Sequence, residues 1–512
     1  MSSINRVVKN TWILYVRMAL TVFISLYATR LTLSALGVTD FGLFNLVGGV
    51  ISMLTFLNTA MAAATQRFMS FAEGAGDNKR QKEIFNVSTV LHIIIAILVF
   101  LILEIVGYFL FDKVLEIPTN RLEIAKMIMQ FMVVSTIFTI ISVPYDAVIN
   151  AHENMLLFAI LGVIESVFKL GIALFLGITP YDKLTTYGLL MTFLSIILLF
   201  MRQIYCHRKY EECQIDFKKY FSRSTFKEMS SFAGWSFLGA SSSMIANYGQ
   251  GIVLNIFFGP VVNAAQAISN QVSGQLSVFS GTMLRALNPL IDKSEGAGNR
   301  KLMIKTSILG GKTSFFLLLV VYIPVIIEMP FIFELWLKKI PEFTVIFCRF
   351  QLLRNLIEQL YITLIGSIAA VGKIKKFQIV KSIITLFPLI ITYFLFFHGY
   401  PAYFIYVVFI IYVIVDGVIV LYFANIYCDL SIEFYLKSVI FPCLYIALSV
   451  ILVSLIPFFI FQVGIIRLIL ITTIILLSLI IAICKWGITS EEKKVLIDFF
   501  EIIKKKLKFF FV

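Results

Sequence analysis

Apolar runs of about 20 residues recur almost end to end along this chain, which is the length a helix needs to cross the hydrocarbon core of a bilayer. A chain built this way is expected to be an all-α integral membrane protein. Composition agrees: 60% of the 512 residues are hydrophobic and 14% are charged, where a water-soluble chain carries roughly 25% charged residues. The first run begins within a dozen residues and is too long and too studded with polar groups for a cleaved signal peptide, so it is read as a retained first helix.

The pattern predicts about fourteen transmembrane helices. Six lie near 10–35, 41–72, 84–111, 121–150, 154–178 and 184–206, and six more near 229–258, 261–292, 300–327, 342–371, 375–398 and 401–427. Two further spans follow near 433–458 and 463–484. Loop charge sets the orientation. One side collects Arg6, Lys9, Lys79, Arg80, Lys82, the basic linker around Arg208 to Lys227, Lys293, Arg300, Lys301, Lys373, Lys375, Lys376 and Lys504 to Lys506. The opposite loops offer Lys113, Arg121, Lys183, Lys338 and Lys339. Both termini are therefore expected on the cytoplasmic side. The net charge of +14 is accounted for by these short loops and the tail, as topogenic charge facing anionic lipid, and no nucleic-acid partner is implied.

An acidic-glycine loop occurs twice. Glu73-Gly74-Ala75-Gly76-Asp77 and Glu295-Gly296-Ala297-Gly298-Asn299 each close a long apolar segment and lead into basic residues. Sliding the second copy back 222 positions also superposes Gly37 on Gly259, Leu54 on Leu276, Met61 on Met283 and Ala64 on Ala286 without a gap. The chain reads as two related halves. The expected domains are an N-lobe at 1–206, a cytoplasmic linker at 207–228 that is a candidate hinge, and a C-lobe at 229–427. Two additional spans at 428–484 and a basic tail at 485–512 complete the chain. Six helices per lobe make the two copies parallel, related by an axis along the membrane normal, with a central cavity between them.

Polar side chains inside a span face protein or a wet cavity. In the second span Asn45, Gly48, Gly49, Ser52, Thr55, Thr59, Ala63 and Gln66 form one stripe. Its repeat partner carries Asn263, Gln266, Asn270, Ser273, Ser277, Gly281 and Asn288 with Arg285 at the edge, and the seventh span adds Ser236, Gly239, Ser243, Asn247 and Gln250. Tight packing by small residues accounts for the Gly and Ser positions, but explains the Asn and Gln poorly. These stripes are read as cavity walls, with Asn45, Thr59, Gln66, Asn247, Gln250, Gln266, Asn270 and Asn288 as candidate substrate-binding residues.

Arg17 in the first span is the leading cationic candidate, since guanidinium donates bidentately to an anionic phosphate and stays charged. Arg30 lies on another face and is expected to snorkel to head groups, as is Arg67. Arg285 can meet the same ligand from the other half, with snorkelling as the alternative. Glu165 with Lys169, and Arg354 with Glu358, are spaced for ion pairs along a helix. Asp416 lacks an obvious local partner, and with Glu165 and Glu358 it is a candidate for coupling-ion binding.

Other chemistries find no support. Gly310-Gly311-Lys312-Thr313 looks like a phosphate loop, yet Thr306 stands where the motif needs glycine, and the segment lies in an apolar span. The six cysteines and four histidines show no metal-ligand spacing, so no metal or cofactor is expected. No carboxylate pair or long outer loop offers the active site of a glycan polymerase or ligase, and no enzyme activity is expected. The Lys- and Phe-rich segment 491–512 reads as an amphipathic surface helix or a solvated tail.

The turn Leu36-Gly37-x-x-x-Phe41-Gly42-Leu43-Phe44, the polar stripes ending in Glu-Gly-Ala-Gly and the six-plus-six-plus-two arrangement resemble Wzx-type polysaccharide-biosynthesis flippases. That family belongs to the multidrug/oligosaccharidyl-lipid/polysaccharide exporter (MOP) superfamily, with the multidrug-and-toxin-extrusion (MATE) antiporters and the lipid II flippase. The resemblance implies a secondary transporter in the bacterial inner membrane that moves an undecaprenyl-pyrophosphate-linked oligosaccharide across the bilayer. It further implies a coupling ion, H+ or Na+, and neighbouring polysaccharide-assembly membrane proteins as partners. Arg17 and Arg285 match the family's use of cavity arginines by role and location. A cation-coupled MATE-like multidrug antiporter is the alternative; it would favour carboxylates, whereas the charges near these stripes are mainly arginines.

Overall fold

The computed structural model describes residues 3–53, 55–113, 121–337 and 340–487. Lys338, Lys339 and the tail beyond Gly487 lie outside the described residues, so the expectation of a surface helix at 491–512 is not addressed.

Helix accounts for nearly all of the described chain. The elements are α1 (Ser3–Met53), α2 (Thr55–Ala75), α3 (Asn78–Lys113), α4 (Leu122–Ala151), α5 (Met155–Phe175), α6 (Lys183–Lys209), α7 (Phe217–Tyr220) and α8 (Arg223–Gly296). They continue as α9 (Arg300–Ile327), α10 (Met329–Trp336), α11 (Thr344–Gln359), α12 (Ile362–Val371), α13 (Lys375–Phe397), α14 (Phe404–Cys428), α15 (Ile432–Tyr435), α16 (Phe441–Ile460) and α17 (Ile465–Ala482). Among the described residues ten helices are long and apolar enough to cross a membrane. The other four expected spans, 41–72 among them, are helical over their described residues but polar or interrupted. Those at 229–258 and 261–292 are the Ser-, Asn- and Gln-rich halves of α8, and the one at 342–371 is broken at Leu360 and Tyr361 between α11 and α12.

The long helices α1 and α8 each contain one non-helical residue, and the two are repeat-equivalent. Gly37 has φ 77° and ψ 170°, and Gly259 has φ 75° and ψ −172°. That conformation is essentially restricted to glycine, so each Gly converts a continuous apolar stretch into two helices at a fixed place. The acidic-glycine loops also share geometry. Gly76 N–H donates to the Glu73 carbonyl and Asp77 N–H to that of Ala72, while Gly298 N–H donates to Glu295 and Asn299 N–H to Ser294. Both are helix C-caps with a left-handed glycine.

The chain divides into two compact units. One is built from Asn10–Ser241 together with Asp292–Asn299, so the second acidic-glycine loop belongs to the same unit as the first. The other contains Ser242–Ile291 and the described chain from Arg300 onward.

Within the first unit, the loops sort to two ends as the alternating charge pattern requires. At one end Arg121, between α3 and α4, bonds Asp40 at 2.8 Å and Asp182 at 2.6 Å, joining three alternate inter-helix connections. At the other end the acidic-glycine loops, the α4–α5 turn and the linker after α6 come together. There Arg80 reaches Glu228 at 2.5 Å, and Asn86 bonds the Gln214 carbonyl at 2.7 Å and the Asp216 N–H at 2.9 Å. The linker is thus held against α3.

The apolar core of this unit is formed by Val47, Ile51, Val99, Leu103, Met129 and Val133 from α1, α3 and α4. In the second unit Phe315, Leu319, Leu352, Leu364, Val420 and Ile475 pack together, so α17 is integral to that unit. A buried pair fastens it: Arg467, 8% exposed, lies 2.6 Å from Glu328, 1% exposed. Large apolar side chains such as Ile411, Val418, Phe459 and Ile466 are turned outward, the inverse of a soluble protein and the arrangement lipid demands.

Candidate functional site

In the second unit, the polar stripe of α8 after Gly259 separates into two faces. Asn270, Gly274, Val278, Gly281 and Arg285 are all exposed and lie within roughly 80° of one another around the helix. This face is too small and polar for lipid and carries its only cation at the acidic-glycine end. The adjacent face is used for packing. Ser273 and Ser277 accept from Asn355 Nδ2 at 2.8 and 3.4 Å, and Ser280 bonds Gln359, whose Nε2 donates to Ser314 at 2.7 Å. Asn355 and Gln359 of α11 were not singled out by sequence reasoning, although their spacing of four residues places both on one helical face.

The structure therefore brings Asn270 and Arg285 onto one exposed face and leaves Asn247 exposed before the kink. It turns Gln250 and Gln266 inward, at 4% and 5% exposure. Asn288 is half-buried, its Oδ1 facing the backbone of Gly366.

In the first unit the repeat-equivalent positions behave alike. Asn45, Thr59 and Ala63 are exposed, and Gln66 is half-buried, donating to Ser70 at 2.7 Å. Asn45 donates to the Phe41 carbonyl at 2.7 Å. Arg17 lies over the Phe158 ring at 4.4 Å, against the backbone of Gly162 on α5. Arg67 does not reach for the surface: it is buried, with Phe68, Phe71 and Phe232 around its guanidinium at 4.6, 5.0 and 5.4 Å, and Asp292, Glu228 and Glu295 attracting it. The expectation that Arg67 snorkels is corrected here, because Phe232 and the carboxylates come from α8 and could not be placed beside Arg67 from a one-dimensional pattern.

Two of the three candidate coupling carboxylates, Glu165 and Asp416, have ion-pair partners. Glu165 bonds Lys169 at 2.6 Å, one turn along α5. Asp416 is 2% exposed, and it does have partners: Lys381 Nζ at 3.2 Å from α13 and the Tyr361 hydroxyl at 3.0 Å. Beside Glu358 on α11, Arg354 lies over the Phe409 ring at 5.0 Å. Gly310 and Gly311 sit within α9 against Leu287 and Thr363, a packing face with no phosphate-loop geometry.

A second cluster, unforeseen from sequence, occupies the acidic-glycine end of the first unit. His152 bonds Glu212 at 2.5 Å and Glu73 at 3.2 Å and stacks on Tyr210 at 4.2 Å. Lys293 reaches Glu153 at 3.3 Å and Glu73 at 3.6 Å. Burial pulls the His152 imidazole down, but hydrogen bonds to Glu212 and Glu73 outweigh it and hold its pKa up to about 9. The bond from His152 in turn holds the Glu73 carboxyl below its ordinary value.

The family model described as polysaccharide biosynthesis protein matches residues 7–295, more than half of the chain. The chain belongs to this polysaccharide-biosynthesis family. No curated protein matches it closely enough to add to that. Among solved structures it is similar to an outward-facing MATE multidrug-resistance transporter of the MOP superfamily, at 13% identity and a TM-score of 0.71, over 83% of this chain and 95% of that one. A MOP-superfamily transporter from Pyrococcus furiosus, described as having a binding pocket of reversed polarity, gives 13% identity and a TM-score of 0.70 over 83% and 95%. A MATE in complex with MaD3S gives 13% and 0.71 over 83% and 97%. The polysaccharide-biosynthesis protein thus has the fold of a MOP-superfamily membrane transporter.

Proposed function

We propose that this protein is a secondary transporter that flips an undecaprenyl-pyrophosphate-linked oligosaccharide across the bacterial inner membrane by alternating access, with both termini cytoplasmic. The observation that carries the reading, within the family established above, is the exposed small and polar face of α8 that ends in Arg285. Amide and hydroxyl groups suit sugar hydroxyls, and a guanidinium suits a pyrophosphate. Asn45 and Thr59 offer the matching groups on the repeat-equivalent helix.

Asp416, Glu165 and Glu358 are the candidates for ion coupling. Protonation of Asp416 would release Lys381, which gives that carboxylate a lever on the packing of α13 against α14. Other membrane proteins of polysaccharide assembly are the expected partners. The MATE-like fold favours a second reading, a cation-coupled multidrug antiporter. Its substrates are cations, and the arginine at the end of the exposed stripe opposes them.

The test is complementation of a strain that lacks its own flippase for the same glycan. Arg285→Ala should lower surface polysaccharide about tenfold or more at unchanged protein level, with lipid-linked oligosaccharide accumulating in the inner leaflet. Arg285→Lys should restore part of it. Full complementation by Arg285→Ala, or drug resistance with no polysaccharide phenotype, would overturn the reading.

A further inference from the structure

A groove of about 430 Å³ runs between α1 and α5 of the first unit. Trp12, Val16 and Leu20 form one wall, Leu156, Ile160 and Ile164 the other, and Arg17 is the single charged residue in its lining. The walls are open outward: Trp12 is 70% exposed and Leu156 56%. The absence of a side chain at Gly162 makes room for the guanidinium, because a Cβ there would overlap Arg17 Nε, Nη2 and Cζ. The groove is therefore an apolar trough with one fixed cation on its flank.

Depth decides what such a trough fits. The first span begins at Asn10, so Arg17 stands roughly 10 Å along the helix, below the layer in which resident phospholipids carry their phosphates. An anion matched to Arg17 is drawn inward while its hydrocarbon part lies along the apolar walls of the groove. We propose that this groove binds the first isoprene units of a polyprenyl phosphate or pyrophosphate, with Arg17 holding the phosphate. The proposal rests on the lipid-linked substrate class proposed above and assigns its lipid end to the α1–α5 face.

The experiment places a photo-cross-linking benzoylphenylalanine at Ile160 in the full-length protein, with Ile411, an equally outward position on α14, as control. The protein is set in nanodiscs of phosphatidylethanolamine and phosphatidylglycerol containing undecaprenyl phosphate, and adducts are weighed by mass spectrometry. Undecaprenyl phosphate should label position 160 about tenfold more than position 411, and Arg17→Gln should remove most of that difference while Arg17→Lys keeps part of it. If Arg17→Gln does not purify as a monodisperse protein, Gly162→Ala, which displaces the guanidinium, takes its place. Equal labelling at both positions, phospholipid adducts only, or no effect of either variant would overturn the groove. Should the groove fail while Arg285→Ala still accumulates lipid-linked oligosaccharide, the flippase reading stands; failure of both removes the substrate class.

Discussion

Taking the proton from His152 removes the charge that neutralises Glu73 and Glu212 and leaves Lys293 as the cation among three carboxylates. The sign of the effect follows from the direction of the shift. The folded-state pKa of about 9 lies above the ordinary value of 6.5, so the stabilisation is fully present below pH 6.5 and is lost as pH rises through 9. Thermal unfolding of the detergent-solubilised protein should lose about 1–3 kcal/mol between those limits. His152→Gln should flatten that dependence and lower the melting temperature at pH 6.5; an unchanged pH profile in the variant would remove His152 from this role. The Glu328–Arg467 and Asp416–Lys381 pairs show the same economy at single residues, since each of these two buried carboxylates meets a cation from another helix.

Two helix ends cross in the first unit with almost no space between them. A Cβ on Gly74 would overlap the Lys293 backbone, and a Cβ on Gly296 would overlap that of Phe71. Since Gly74 and Gly296, like Phe71 and Lys293, are 222 positions apart, the contact is made twice by the same motif, as across a local two-fold axis. The glycines of the acidic-glycine loop thus have a packing cause beyond their helix caps. Gly74→Val should cost about 1–3 kcal/mol in thermal unfolding, because the obstacle is backbone and cannot rotate away. Gly171→Ala on α5, which meets nothing within 4 Å, should be neutral or stabilising. Equal melting temperatures for Gly74→Val and the parent would sink the crossing as a stabilising contact. The same two helices carry the exposed residues of the candidate site, so a disturbance at this crossing acts directly on the elements that hold Thr59 and Arg285.

At the scale of the whole chain, loop charge predicts which loops share a side of the membrane, and within the first unit alternate loops group at opposite ends. Reporter fusions after Arg80, Arg208 and Lys376 should behave as cytoplasmic, and fusions after Asp182 and His398 as external, with alkaline phosphatase and fluorescent-protein activity as complementary readouts. An active phosphatase at Arg80 would reverse the assignment. The division into compact units falls inside α8, at Ser241 and Ser242, and not at the linker, which is tied to α3 through Asn86 and Arg80. A basic segment between two repeats reads as a tether from its composition, yet its hydrogen bonds make it part of the first unit.

By itself the sequence determined the class of fold, the repeat and the paired breaks at Gly37 and Gly259. A helix in lipid satisfies its own backbone, so apolar length is a local property. A glycine at φ near +75° is likewise a local requirement, and that is why Gly37 and Gly259 could be matched before any contact was known. What only the tertiary structure decided is which polar groups meet. Lys381 for Asp416, Arg467 for Glu328, Asn355 for Ser273 and Phe232 for Arg67 are partners brought from other helices. Helical periodicity tells which face a side chain occupies, but the neighbour across that face is set by packing over the whole unit.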